Sequence, residues 1–180
     1  MEKITFETEK IPFKERCTKD LKIKILVFVI FASIPIYNIG FHIISIFFIL
    51  FFLFVTLYIT YDESKVFVYK IEFENEKINI FGSNFDDDWI EIFEIKKVNI
   101  QTKVDVSKTG YIKGYSLVFK NTKKKITLNK LYHWNNFTLY QIFIEFKKRK
   151  EEKIIIDEKS LIDGIKKKAE EKGEWKNLAP

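Results

Sequence analysis

The chain has 180 residues, 47% apolar and 31% charged, with a formal net charge of +6 and a pI of about 9.1. That length gives room for one anchor and one modest domain, and the single cysteine, Cys17, excludes an intramolecular disulfide and a multi-cysteine metal site. The positive charge is spread out and interleaved with Glu and Asp, so it points to the neighbourhood of an anionic leaflet and not to nucleic acid.

The first 21 residues read as a basic cytoplasmic segment. Lys3, Lys10, Lys14, Arg16, Lys19, Lys22 and Lys24 precede an apolar stretch, residues 25–61, that contains no Asp, Glu, Lys or Arg. The basic start is long and no small-x-small cleavage pattern follows, so a secretory signal peptide is not expected. As one helix the stretch would run about 55 Å, nearly twice the roughly 30 Å of a hydrocarbon core. The run Pro35-Ile36-Tyr37-Asn38-Ile39-Gly40 supplies helix-breaking and turn-favouring residues in its middle. Residues 22–61 are therefore expected to form a two-helix transmembrane hairpin, with spans near Lys22–Tyr37 and Phe41–Tyr61. The second span holds fifteen Leu, Ile, Phe and Val residues, each worth roughly −0.3 to −0.6 kcal/mol at mid-membrane. Lysines flank the hairpin and none lies in its turn, so the positive-inside rule places both termini in the cytoplasm at the inner membrane.

From residue 64 the period changes to two. Lys65–Phe73 and Lys77–Phe81 alternate around a turn at Glu74-Asn75-Glu76 and read as a hairpin. Gly82–Asp88 reads as a loop, Trp89-Ile90 as a short strand, Glu91–Ile95 as a turn, and Lys96–Thr102 as another strand. A polar loop at Ser107–Gly114 precedes a second hairpin, Tyr115–Phe119 with Lys124–Leu128. Phe137, Tyr140, Phe143, Ile144 and Phe146 then recur at helical spacing over Asn135–Lys150, with Asn135 or Asn136 as the cap. After Lys150, residues 153–157 suit either a strand or a continued helix. Ser160–Lys172 reads as a helix with the stripe Leu161, Ile162, Ile165 and Ala169, and the last residues read as frayed.

Trp89, the segment Ile95-Lys96-Lys97-Val98-Asn99-Ile100, the hairpin Tyr115–Leu128 and the helix Asn135–Phe146, together with the apolar anchor, resemble the bacterial membrane proteins that carry a pleckstrin-homology-like (PH-like) domain. The resemblance covers about half of the chain and rests on pattern. It implies an α+β membrane protein: a transmembrane hairpin, then a small curved antiparallel sheet or partly open barrel over residues 64–150 closed by an amphipathic helix. It brings no catalytic residues with it. The helical tail, 151–180, departs from a minimal PH-like domain.

The residues with chemical potential each have a plainer reading. Asp86-Asp87-Asp88 offers oxygen ligands but lacks calcium-loop spacing, and reads as an exposed loop. His42 and His133 have no partners at zinc spacing. No nucleophile elbow surrounds any serine, Gly110–Gly114 is too short for a dinucleotide fingerprint, and Trp134 reads as a cap on the core. No catalytic, cofactor or metal residue is therefore assigned. Lys123, Lys124 and Lys125 at a hairpin tip, and Lys147, Lys148, Arg149 and Lys150 at a helix end, are the candidate contacts for anionic headgroups or a partner, at about 1 kcal/mol per basic residue near a membrane surface. Solvated charge that protects a sheet edge is the alternative. The expected function is a non-enzymatic, membrane-anchored interaction module facing an unidentified protein or anionic lipid. A membrane-bound immunity or accessory subunit with one cognate protein is the second reading, and an interfacial lipid-acting enzyme the third.

Overall fold

The structure is a computed structural model that describes residues 2–39, 43–106, 110–129 and 133–174. It is α+β, with two antiparallel sheets and four helices among these residues. The chain divides into two units: residues 1–9, 67–83 and 88–180 in one, and residues 10–66 with 84–87 in the other.

The first unit holds both sheets. Strands β1 (Ile4–Glu7), β2 (Val66–Glu74), β3 (Lys77–Asn84) and β4 (Asp87–Glu94) form one sheet in that order. β5 (Asn99–Val106), β6 (Ile112–Lys120) and β7 (Lys125–Leu128) form the other. Two helices follow, α3 (Asn136–Lys150) and α4 (Ile156–Glu171). A single core joins both sheets to both helices. Ile71, Phe73, Ile78, Ile80, Leu117, Phe119, Leu139, Phe143, Phe146 and Ile165 are all completely buried in it.

Several sequence expectations need correction here. The N-terminal residues do not form a separate basic segment, because Ile4–Glu7 pairs with Phe73–Lys70 as an antiparallel strand. Four residues are too few for alternation to announce a strand, and the partner lies more than sixty positions away. The expected loop Gly82–Asp88 is only a two-residue turn at Phe85-Asp86, with Phe85 at φ 56° in the left-handed region. The expected turn at Glu91–Ile95 belongs mostly to β4, which runs to Glu94. Its alternation decides this: Phe93 is buried and Trp89 half-buried, while Ile90 and Ile92 face out. A single 3₁₀ turn over Ile95–Lys97 then leads to β5, so the strand expected at Lys96 begins at Asn99. β6 starts at Ile112, inside the expected polar loop, of which positions 107–109 lie outside the described residues.

Gly82 is required by packing. A Cβ there would lie 2.2 Å from the Trp89 ring and 2.7 Å from the Phe67 carbonyl oxygen. The backbone oxygen cannot rotate away, so Gly82→Ala is expected to destabilise the domain by about 1–3 kcal/mol through overpacking. Chemical denaturation checks this, and an unchanged midpoint would show that the strand has room.

α3 follows the sequence closely. Asn135 caps it, its side-chain oxygen accepting from Thr138 N at 2.6 Å. Phe137, Phe143 and Phe146 face the core, and Tyr140 and Ile144 lie half-buried against it. α4 begins at Ile156, so residues 153–155 continue neither a strand nor α3. Ile162, Ile165 and Ala169 form its buried stripe. Glu174 closes the helix pair: one carboxylate oxygen accepts from Asn136 N at 2.6 Å and Phe137 N at 3.1 Å, the other from Asn136 Nδ2 at 2.9 Å. A carboxylate suits the positive end of the α3 dipole. The tail 174–180 is expected to fray; these bonds hold Glu174 in place instead, and positions 175–180 lie outside the described residues.

The second unit is a helix pair, α1 (Phe13–Ile39) and α2 (Ile43–Ser64). α1 differs from the expected first span of Lys22–Tyr37. It starts nine residues earlier and carries Lys14, Glu15, Arg16, Lys19, Lys22 and Lys24 in its first half. It also continues through position 35 to Ile39. A helix-interior proline removes one i→i−4 hydrogen bond, and the helix can continue on either side of it. Gly40, Phe41 and His42 lie outside the described residues. Among the described residues one helix, over Ile46–Ser64, is long and apolar enough to cross a membrane, where two spans are expected from the sequence.

Candidate functional site

The two basic clusters converge. Asn99 pairs with Lys120 and Lys120 with Lys125, so the β6–β7 hairpin tip lies at the end of the sheet where β5 begins. Lys150 reaches the same end, its Nζ donating to Val98 O and Asn99 Oδ1, both at 2.7 Å. The Asn121 side chain shapes the tip by accepting from Lys123 N at 2.8 Å and Lys124 N at 2.6 Å.

Most of this charge is committed internally. Lys124 pairs with Glu91. Lys147 is buried, with Glu158 at 2.8 Å and Glu152 at 3.2 Å, and Lys150 adds Glu152 at 2.9 Å. Arg149 is the most constrained of the four. Its Nε donates to Glu145 at 2.6 Å, its Nη2 to the Glu2 carbonyl at 2.7 Å and its Nη1 to the Asn75 carbonyl at 3.3 Å. Its guanidinium also stacks over Phe73 at 5.5 Å. A fork that can donate in several directions at once is what guanidinium offers and ammonium does not. Lys123, Lys124, Lys125 and Lys148 are the cluster members left exposed, Lys124 while paired with Glu91. As an open basic patch, the helix end is therefore much smaller than its sequence suggests. Its side chains fold back because α3 needs positive charge over its last carbonyls and because α4 supplies acids within reach.

The electrostatics follow from these pairs. Hydrogen bonds from Lys150 and Lys147 hold the Glu152 carboxyl below the ordinary carboxylate value. At Glu72 burial pushes the pKa up, but Lys70 and Lys3 outweigh it and the carboxyl is held low. At Lys147 burial opposes the charge, and Glu158 and Glu152 still raise the pKa. A carboxyl with a lowered folded pKa stabilises the fold above its unfolded pKa, and that stabilisation fades as pH falls through the folded value. A lysine with a raised folded pKa stabilises below its unfolded pKa and loses this only as pH rises through the folded value. Thermal stability is thus expected to hold through neutral pH and to fall below the ordinary carboxylate pKa of 4.5 and above the ordinary lysine pKa of 10.5. A melting series against pH checks both limbs.

The other singled-out residues are structural. The Asp86 side chain accepts from Phe13 N at 2.8 Å, at the first residue of α1. Phe13 and Phe85 meet edge to face at 5.0 Å, with Tyr61 beside both. Arg16, almost completely buried, donates to the Phe85 carbonyl and lies over the Phe13 ring at 5.8 Å. Trp134 is buried, its Nε1 donating to Val68 O at 3.0 Å. Asn129 ties it in, accepting from Trp134 N at 2.9 Å and donating to Tyr115 O at 2.8 Å. His133 packs its ring against Phe67 at 5.2 Å. His42 lies outside the described residues. Among the described residues no group of three or more His, Cys, Asp or Glu is placed to hold a metal ion.

α2 presents the other surface of functional interest. Phe47, Phe51, Phe54 and Tyr58 are more than 60% exposed, and Phe48, Leu50, Phe52 and Leu57 are exposed on other sides. Two of its threonines bond back to the helix: Thr56 Oγ1 donates to Phe52 O at 2.8 Å and Thr60 Oγ1 to Thr56 O at 2.9 Å. A helix apolar all round belongs in a large core or in lipid, and satisfied hydroxyls lower the cost of the second.

The described residues form an α+β chain in which one helix is long and apolar enough to cross a membrane. Comparison with protein-family models, with curated proteins and with solved structures found no match to this chain.

Proposed function

We propose that this chain is a non-enzymatic interaction module, anchored by α1 and α2 as a transmembrane hairpin and presenting a PH-like domain at the cytoplasmic face. The observation that carries the reading is the exposed, all-round apolar surface of α2. Chain connectivity supports the hairpin. Residues 8–65 leave the sheet after β1 and rejoin it at β2, and β1 and β2 are hydrogen-bonded neighbours. An open sheet ladder cannot be divided across a hydrocarbon core, so the number of crossings between those strands is even. If α2 crosses, α1 makes the return. Its apolar part, Ile25–Ile39, covers about 22 Å, and Lys22 and Lys24 can extend their ammonium groups to the interface. Lys24 pairs with Glu63 at 2.6 Å, which joins the start of the apolar part of α1 to the end of α2.

The PH-like reading rests on antiparallel strand pairs followed by an amphipathic helix that closes the core. The internal pairing of Lys124, Lys147, Arg149 and Lys150 favours a protein over anionic headgroups as the partner, which also suits an accessory subunit with one cognate protein. Alkaline carbonate extraction of membranes from expressing cells tests the anchor. The chain is expected in the pellet, and recovery in the supernatant would reject it.

A further inference from the structure

We infer that the outer edge of β4 is a docking edge for a cationic extended segment of a partner protein, which joins the sheet as an added strand. The inference rests on the interaction-module reading and names the partner's chemistry.

The two sheets have four edges. A strand edge offers unpaired N–H and C=O groups to any passing strand, and folded proteins blunt this by shortening, covering or charging the edge. β1 and β7 are each four residues long. β5 is longer, and α4 packs against it. The same helix sends Lys168 to the Ile112 and Lys113 carbonyls of β6 at 3.0 and 2.9 Å. β4 is eight residues long and outermost in its sheet. Its outward side chains include Ile90 and Ile92, each 59% exposed.

Charge selects the occupant. In a chain of net charge +6, β4 reads DDWIEIFE, with four carboxylates and no cation. At least three of these already interact within the chain, Glu91 with Lys124, Glu94 with Lys97, and Asp88 as well, so the edge is partly balanced while carrying no cation of its own. A second β4 is a poor match: antiparallel pairing centred on Glu91 sets Ile90 opposite Ile92 but Asp88 opposite Glu94 and Glu91 opposite itself. Like charges directly across a ladder destabilise it, whereas opposite charges stabilise it. The complementary strand carries Lys or Arg opposite Asp88 and Glu94 and β-branched residues opposite Ile90 and Ile92. Ladder hydrogen bonds then supply affinity and the alternating side chains supply selectivity.

The test uses the full chain in phosphatidylcholine nanodiscs and two peptides, Lys-Thr-Val-Thr-Val-Thr-Lys and its counterpart with Glu at both ends. Amide hydrogen exchange is followed by mass spectrometry. The Lys peptide is expected to slow exchange over residues 88–94, and the Glu peptide to bind about tenfold more weakly. The double variant Ile90→Lys, Ile92→Lys alters only exposed side chains, so it should keep the protection of β2 and β6 and lose the response to the Lys peptide. Equal binding of the two peptides, no slowing at β4, slowing confined to other segments, or an unchanged response in the double variant would each overturn the inference. Any of these, with the chain still resisting alkaline extraction, would reject the docking edge and leave the anchored module standing. A chain extracted by alkali would reject the anchor, whatever the peptides do.

Discussion

Arg149→Ala is expected to destabilise the domain by about 3–5 kcal/mol, the cost of breaking a buried, hydrogen-bonded charge pair. The Arg149 side chain is 3% exposed and that of its partner Glu145 is 13% exposed, so little water is available to replace the lost pair. The substitution also removes a donor from two backbone carbonyls, Glu2 at the start of β1 and Asn75 in the β2–β3 turn. Its loss therefore loosens the first sheet as well as the helix end. Arg149→Lys keeps the charge but has no planar fork, and is expected to recover less than half of the stability. Denaturation of the full chain in detergent is the check, with a fall in melting temperature of roughly 10 °C for the alanine variant. A loss below about 1 kcal/mol would make Arg149 an ordinary surface cation.

The second large effect lies in α2. Phe54 is 68% exposed and Phe51 61% exposed, so neither contributes to the buried core. Moving from Phe to Asp at the centre of a span costs roughly 3–4 kcal/mol of insertion free energy. The fifteen Leu, Ile, Phe and Val residues over positions 41–61 supply an estimated 4.5–9 kcal/mol in total, roughly 0.3–0.6 each. Phe54→Asp alone is expected to reduce the fraction that resists alkaline extraction, and Phe51→Asp with Phe54→Asp to abolish resistance. Phe54→Leu should change nothing. If α2 lay in water, the same aspartates would improve solubility without loss, so the two readings differ in the sign of the effect.

What the sequence made legible was local. The charge-free run at residues 25–61, the alternation of Lys65–Phe73 and the helical spacing of Phe137, Tyr140 and Phe143 all repeat within one element, and β2, α2 and α3 lie close to where those periods place them. What it hid depends on distant partners. β1 is a strand only because β2 lies beside it. Arg149 is structural because residues 2, 75 and 145 surround it, and nothing in the run KKRK distinguishes it from a solvated cation. Glu174 caps a helix that begins 38 residues earlier. β4 differs in that its period-2 pattern of Trp89, Glu91 and Phe93 is local, but the acidic run before it suits a loop and Glu91–Ile95 a turn, so only Trp89-Ile90 reads as strand. The helix-end cluster is therefore less available than its sequence suggests, and the acidic edge of β4 exists only through the strand order of its sheet.

The insertion of a helix pair between two hydrogen-bonded strands makes one requirement that labelling can test directly. In a Cys17→Ser background, single cysteines at Lys10, Tyr37 and Asp157, all exposed positions, are exposed to a membrane-impermeant thiol reagent in sealed vesicles of known orientation. Lys10→Cys and Asp157→Cys are expected to react from one face and Tyr37→Cys only from the opposite face. Reaction of all three from the same face would contradict the transmembrane hairpin.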